Sequence, residues 1–457
     1  MILFLAVCLL PSLGMLLFPG EPAAANQNLA PKPSLHKADG SLNGAFLPDL
    51  IAYEEDHFAL RQKMITANAR LDAALFGVSG TDDVLLGKDG WLFYSETIPQ
   101  RLHEAPLTDR QLFGAARALA LMDEYCRERD ARLLFTCAPN KVSIYPEYLK
   151  KDRTPLEGAD DIDRLLPYLK AQGVQYADLF APLKEADEVL YYRTDSHWTE
   201  KGAALAADTL ADALGLENAD LFRAGFTESG THRGDLYEMV YPSGRYEEPM
   251  LAPSGGLPFE YARPIRSEED QLIDTVCEAA PEGSSLLMFR DSFGNSLHRY
   301  AASYFRDAEF SRSMPFRMEL VDTSQAKTVI IEIVERNLRY LSENAPVMPA
   351  PVRVFNTVPS ENAGLSARLT LTETESPEGY VRACGSVSDP DEDSPIWLSV
   401  DGTVYEAFPC GTAEDGAPFT AYVPKAPAES IRVLCLVNGE LALAKPIVSE
   451  PIQEDQE

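Results

Sequence analysis

The sequence predicts an α/β chain, with a mostly parallel sheet flanked by helices and a C-terminal all-β sandwich module after it. Three observations predict this. Between residues 108 and 334, short apolar β-prone runs alternate with segments of helical apolar spacing, the pattern of a parallel sheet covered on both faces. A proline-rich break follows at Pro346–Pro351. Beyond it, six runs alternate apolar and polar residues between turn residues, as antiparallel strands of a sandwich do.

Taken in order, Met1 to Phe18 is an uncharged apolar run, roughly 27 Å long as a helix and so about one hydrocarbon core thick. Residues 1–19 are read as a membrane anchor or signal segment, an uncleaved anchor being favoured over cleavage after Ala23-Ala24-Ala25. Either way, the rest of the chain lies outside the cytoplasm. Residues 20–45, rich in Pro, Ala, Asn and Ser, are a tether, and a catalytic domain is expected over 46–345. Phe46 to Phe76 has helical periodicity. Val84-Leu85-Leu86, the turn Gly87-Lys88-Asp89-Gly90 and Trp91-Leu92-Phe93-Tyr94 predict a hairpin whose aromatics are core, with Tyr94 able to line a cleft.

A helix over Thr108–Asp130 leads into the strand Arg132–Ala138, then a helix at Ile162–Gln172 and strands at Val174–Phe180 and Val189–Tyr192. Next come a helix at Glu200–Leu214, a strand from Ser285, a helix carrying Leu297, Tyr300 and Tyr304, and a strand at Thr328–Val334. Thr231–Pro264 reads as a long irregular stretch, a candidate lid or binding loop. Residues 346–351 are a linker and 352–448 the sandwich module, separable enough that deletion from Pro351 is expected to leave small-ester turnover intact. Residues 449–457 are a frayed tail.

The chemistry concentrates in two places. Asp195 and His197 are two residues apart on a connection into a helix, the arrangement of a general base and the carboxylate that orients it. Ser196 between them is expected to point away if the segment is extended. Ser292, in Arg290-Asp291-Ser292-Phe293-Gly294-Asn295, occupies a strand–turn–helix elbow, with free backbone N–H groups beside it for a developing oxyanion. In a parallel sheet the site lies outside the carboxyl ends of the strands, so the elbow, the Asp195/His197 connection and the Pro139-Asn140-Lys141 turn can converge on one edge.

Four ordered elements carry a family resemblance: Gly87–Tyr94, Ala138-Pro139-Asn140-Lys141-Val142-Ser143-Ile144-Tyr145-Pro146-Glu147, Thr194-Asp195-Ser196-His197-Trp198-Thr199 and Arg290–Asn295. From about Phe46 to Leu341 the chain resembles the DHHW proteins and the AlgX/AlgJ-type polysaccharide O-acetyltransferases, which have an SGNH-hydrolase-like domain. The resemblance implies Ser292 as nucleophile, His197 as base and Asp195 as its orienter. It also implies O-acetyl transfer to an exopolysaccharide or cell-wall polymer, with a membrane-bound O-acyltransferase as donor partner. Two positions depart from the pattern. Arg290 stands where the SGNH block usually has Gly, and Ser196 where the DHHW group has His.

Substrate-binding candidates are Lys141 and Tyr145 on the turn, Arg233 and Asp235 in the long stretch, and Trp198 and Asn295 within the motifs. His57 and His298 read as a surface and a packing residue, and Glu335-Arg336 as a structural ion pair or one end of a groove. A formal net charge of -31 argues against nucleic acid as a partner and against docking on anionic lipid. The seven cysteines match no zinc or redox spacing, so neither metal nor cofactor is expected, while the three in the sandwich leave room for one disulfide. A carbohydrate or peptidoglycan O-acetylesterase with the same triad is the nearest alternative. A glycan-binding scaffold without catalysis is the other.

Overall fold

The computed structural model describes residues 29–37, 39–150, 158–217, 219–361, 365–413, 415–444 and 446–448. The apolar leader and the C-terminal tail lie outside the described residues. Among the described residues, no helix is long and apolar enough to cross a membrane.

The central sheet is built from β1 (Arg132–Ala138), β2 (Tyr176–Ala177), β3 (Glu260–Tyr261), β4 (Leu272–Val276), β5 (Ser285–Phe289), β6 (Asp307–Ser311) and β7 (Thr328–Val334), in the order β2-β1-β7-β5-β6-β4-β3. The first five in that order pair in parallel; β4 and β3 extend the edge antiparallel. The β7 sequence Thr-Val-Ile-Ile-Glu-Ile-Val shows why it sits near the middle. Every residue is buried, with Val329, Ile331 and Ile333 on one face and Ile330 and Val334 on the other. Each such aliphatic contributes roughly 1.5–3 kcal/mol by leaving water.

The helices α1 (Asp109–Arg127) and α2 (Asp161–Gln172) cover the first face, and α3 (Glu200–Ala213) and α4 (Gly294–Ala301) the second. A capping box starts α1: the Thr108 hydroxyl accepts from the Gln111 N–H (3.2 Å), and Gln111 Oε1 accepts from the Thr108 N–H (2.9 Å). The small residues Ala203, Ala204, Ala206 and Ala207 let α3 lie close against the sheet.

Four sequence expectations are corrected locally. Phe46–Phe76 is two helices, Phe46–His57 and Arg61–Phe76, broken where Leu60 takes a left-handed conformation (φ 65). The strand expected at Val174–Phe180 shrinks to two residues. Val189–Tyr192 forms no strand; its pairing is a single bridge between Tyr191 and Trp198. The Leu190 N–H donates to the Tyr145 hydroxyl and the Leu190 carbonyl accepts from Thr199, so the run folds back on itself instead of joining the sheet. The stretch Thr231–Pro264 is also ordered: Phe226–His232 and Glu248–Pro253 pair as a hairpin around the helix Asp235–Val240.

The C-terminal part packs a six-stranded sheet on a four-stranded one around Leu369, Ala383, Phe419, Leu398 and Val433. It shares a core with the first part, because Phe408, Cys410 and Tyr422 join the cluster that holds Leu112, Leu119 and Met122 of α1. Ion pairs reinforce the joint: buried Glu406 binds Arg117 and Arg353 (2.6 Å each), and Arg353 also binds Glu124 (2.6 Å). The six cysteines in the described residues are all free thiols, so the sandwich disulfide does not form.

Candidate active site

Ser292 follows β5 in a sharp turn into α4. Asp291 fixes that turn: Oδ1 accepts from the Phe293 N–H (2.9 Å), and Oδ2 accepts from the Val334 N–H at the end of β7 (2.7 Å). Phe293, fully buried, packs against the His197 ring (4.9 Å) and edge-on to Trp198 (4.9 Å). These contacts bring the elbow and the Asp195–Trp198 loop together across 95 residues.

Asp195, His197 and Ser292 form a hydrogen-bonded line. His197 Nε2 lies 3.0 Å from Ser292 Oγ, and Nδ1 lies 2.8 Å from Asp195 Oδ1. A carboxylate only accepts, so Nδ1 carries the proton and the Nε2 lone pair faces the serine hydroxyl. The His197 N–H also donates to Asp195 Oδ1 (2.8 Å), closing a tight local turn. That turn corrects the reading of Ser196. The segment bends, and the Ser196 hydroxyl reaches both His197 Nδ1 (3.2 Å) and Asp235 Oδ2 (2.5 Å).

A second histidine completes the network. His232 Nε2 lies 2.7 Å from Asp195 Oδ2, the same oxygen that accepts the Asp235 N–H (2.9 Å), and its ring stacks on Tyr192 (4.3 Å). The one sequence signal for it was its place beside Asp235 in a chain with six histidines. Glu248, buried, accepts from the backbone N–H groups of Arg193 (3.0 Å) and Thr194 (2.9 Å), pinning the loop from below.

Burial favours the neutral acid of Asp195, but hydrogen bonds from His197 and His232 and their positive charges outweigh it and hold the carboxyl well below its ordinary range. For His197, burial opposes protonation, yet the Asp195 hydrogen bond and the charges of Asp195 and Asp235 prevail against Arg336 and shift it upward. Asp235 is raised, by burial first and by the Asp195 charge second. Asp195, His197 and Asp235 bring ligand atoms within 4.8 Å of one another, as a metal trio would. Both Asp195 oxygens already accept N–H bonds, however, and an ion there would have to break the imidazole's bond to its carboxylate.

A cavity of about 740 Å³ opens over Ser292 and His197. Of the sequence candidates, Asp235 and Asn295 line it; Lys141, Tyr145, Trp198 and Arg233 do not. Those four make contacts within the fold. Lys141 is buried, its ammonium donating to the carbonyls of Tyr192 (3.2 Å), Arg193 (3.0 Å) and Asp195 (2.5 Å), and burial lowers its pKa to about 8. Tyr145 packs on Trp91, Trp198 donates to the Ser296 hydroxyl (2.8 Å), and Arg233 donates to the Pro242 carbonyl (2.5 Å). Tyr94, Arg312 and Arg336 line the cavity instead. Glu335 and Arg336 part company: Glu335 turns inward to the Asn140 N–H (2.9 Å) and the Ser143 hydroxyl (2.6 Å), while Arg336 lies over the Tyr94 and Phe293 rings. His298 is buried between Asn295 and Tyr261, where burial and then Arg290 depress its pKa to about 3.

The order of the mixed sheet, with its serine elbow at the carboxyl edge, defines an α/β domain of the SGNH-hydrolase-like class. Residues 84–279 match the family described as SGNH hydrolase-like domain, acetyltransferase AlgX, a span that holds Asp195, His197 and His232 and stops before Ser292. The chain is 29% identical over 238 residues to the probable alginate O-acetylase AlgJ of Pseudomonas putida, covering 50% of this chain and 60% of that protein. It therefore spans about three fifths of that relative's length. To the probable alginate O-acetylase AlgJ of Pseudomonas fluorescens it is 23% identical over 368 residues, covering 74% and 89%. Among solved structures, the O-acetyltransferase domain of Pseudomonas putida AlgJ aligns at 22% identity and TM-score 0.37, covering 56% of this chain and 92% of that one. Bacillus cereus PatB1 aligns at 14% identity and TM-score 0.43, covering 56% and 98%.

Proposed function

We propose that this protein is an extracytoplasmic O-acetyltransferase that esterifies hydroxyl groups of an exopolysaccharide or cell-wall polymer through an acetyl-serine on Ser292. The observation that carries the reading is the line Asp195–His197–Ser292, with hydrogen-bond separations of 2.8 and 3.0 Å. The likeness to proteins named alginate O-acetylases favours transfer to a glycan over other acyl chemistry.

In this mechanism Ser292 Oγ attacks the acetyl carbonyl of the donor while His197 Nε2 takes its proton, and Asp195 stabilises the imidazolium that forms. The tetrahedral intermediate collapses when His197 returns the proton to the leaving oxygen or sulfur, and acetyl-Ser292 remains. A sugar hydroxyl then gives its proton to His197, attacks the acyl-enzyme and departs as the acetyl ester, with the proton back on Ser292. Backbone N–H groups of the elbow and the Asn295 amide are the proposed oxyanion donors. Arg290 presses a guanidinium N–H on Asn295 Oδ1 (2.5 Å), so the amide N–H₂ is the side left for the cavity.

The donor partner is proposed to be a membrane-bound O-acyltransferase, with Met1–Phe18 and the tether holding the domain in the same plane and raising local concentration. The test gives the full chain an activated acetyl ester and an oligosaccharide acceptor. Acetylated sugar in the mass spectrum, with an acetyl group trapped on the Ser292 peptide, is the expected result. Release of acetate alone, with stripping of preacetylated glycans, would establish an esterase instead.

A further inference from the structure

The strand β7 carries one residue that its aliphatic surroundings do not explain. Glu332 stands between Ile331 and Ile333 in the wholly buried run Thr328–Val334 and is 1% exposed. Burying a carboxyl among aliphatic side chains costs free energy unless a partner compensates. By the alternation of the strand it shares a face with Ile330 and Val334, which pack in one cluster with Phe293 of the elbow and Leu297 of α4.

The Glu332 side chain meets the elbow there. Its Oε2 accepts from the Asp291 N–H (3.1 Å), while Oε1 is buried without a hydrogen-bond partner among the described residues. The backbone ladder between β5 and β7 ends with Ile331 opposite Phe289, so this bond takes over where the ladder stops. Asp291 is then held three times: at its N–H by Glu332, and at its two carboxylate oxygens by the N–H groups of Phe293 and Val334. Ser292 lies between the held N–H groups of Asp291 and Phe293, one residue to either side.

We propose that Glu332 is a positioning residue for the nucleophile: as a neutral carboxylic acid it holds the Asp291 N–H and so fixes the turn that aims Ser292 Oγ at His197, and its ionisation at alkaline pH releases that turn. The role rests on the reading that Ser292 is the nucleophile.

The arrangement needs the neutral form. An ionised Glu332 would set a second negative charge against the Asp291 carboxylate inside the core, where like charges repel strongly. The charged and ionisable groups near Glu332 are Asp291 on the elbow, Arg290 at the end of β5 and the Cys137 thiol on β1. Burial first, and the Asp291 charge second, raise Glu332 well above the ordinary carboxyl range, against the Asp291 N–H bond and the Arg290 charge. The hold is therefore complete below that raised value and lost as pH rises through it.

The test uses the full chain and an activated acetyl ester. Glu332→Gln keeps a neutral side chain with an accepting oxygen. It is expected to match the parent in melting temperature and in kcat at neutral pH, and the ratio of its kcat to the parent's should climb as the pH is raised. Glu332→Leu exchanges one buried polar atom without a partner, Oε1, for another, the Asp291 N–H. Its kcat is expected to fall about 10²-fold with KM held, because a shifted elbow misplaces the nucleophile and leaves the cavity intact. The parent's infrared spectrum should carry a protonated-carboxyl band that Glu332→Gln lacks. A kcat ratio constant across pH, a Glu332→Leu variant as fast as the parent, a Glu332→Gln variant as slow as Glu332→Leu, or an unchanged infrared spectrum would each overturn the role. If Glu332→Leu fails to fold, the pH ratio and the infrared band decide. Ser292→Ala is run beside them: full turnover in that variant overturns the nucleophile reading and this role with it, whereas a dead Ser292→Ala with an undiminished Glu332→Leu overturns this role alone.

Discussion

Asp195 spends one oxygen on each of two imidazoles, and that shapes what single substitutions should do. Ser292→Ala, His197→Ala and the double variant are expected to fall to one common floor of ester turnover, because a triad acts as a unit. Losses that multiply would contradict it. Asp195→Asn should keep the fold yet lose about 10³–10⁴ in rate, since an amide accepts a different imidazole tautomer. The acid limb of kcat/KM reports loss of a proton from His197, and the upward shift of that group places the limb above the ordinary imidazole value. Asp235 adds to that shift, so Asp235→Asn destabilises the imidazolium and should move the limb to lower pH in a pH–rate profile. Glu335 gives a stability counterpart. Burial, partly offset by the Ser143 and Asn140 hydrogen bonds, raises its pKa from 4.5 to about 7, so the fold holds its proton more tightly than the unfolded chain does. Its contribution is therefore complete below the unfolded value and lost as pH rises through about 7, a swing of about 3 kcal/mol. Denaturant unfolding of Glu335→Gln should lack that loss.

At the scale of elements, the hairpin Phe226–His232/Glu248–Pro253 is what turns a pair of sequence motifs into a site. It delivers His232 and Glu248 opposite each other in register, one to Asp195 and the other to the Arg193–Thr194 backbone. The close approach that permits this is at Gly234, where a Cβ would lie 2.2 Å from the Thr194 carbonyl oxygen. Gly234→Ala should cost about 1–3 kcal/mol and lower turnover further by displacing the loop that carries Asp195. Gly255→Ala, in open space, is the matched control. Equal melting temperature and turnover in the two variants would show that the hairpin does not set the loop.

At the scale of the molecule, the sandwich module is joined by a common core rather than appended. Phe408, Cys410 and Tyr422 pack with α1, and Glu406 is buried between Arg117 and Arg353. Truncation at Pro351 removes those side chains and leaves part of the α1 face in water. The shortened chain is expected to lose its cooperative melt and its turnover together; retention of both would show that the first part folds alone.

What the sequence determined by itself was whatever depends on neighbours in the chain. The strand at Thr328–Val334, the helix beginning at Thr108, the Gly87–Gly90 hairpin turn and the Ser292 elbow are local patterns, and each formed where the residues placed it. The convergence of Asp195 and His197 on Ser292 was expected from connections that follow strands; Ser292 does follow one, whereas the Asp195 connection follows no sheet strand and reaches the serine through the packing of Phe293 on His197 and Trp198. What only the tertiary structure decided depends on burial and on partners distant in sequence. A lysine, tyrosine and tryptophan in a motif look alike whether they meet a ligand or hold a loop; Lys141 holds one because three carbonyls converge on its ammonium. His232 stayed hidden for the same reason, since its partner Asp195 is 37 residues away and is reached only once the hairpin forms. A second cavity joins Leu92, Arg193 and Tyr237, which no spacing along the chain relates, and only the packing of a helix against a hairpin brings them to one wall.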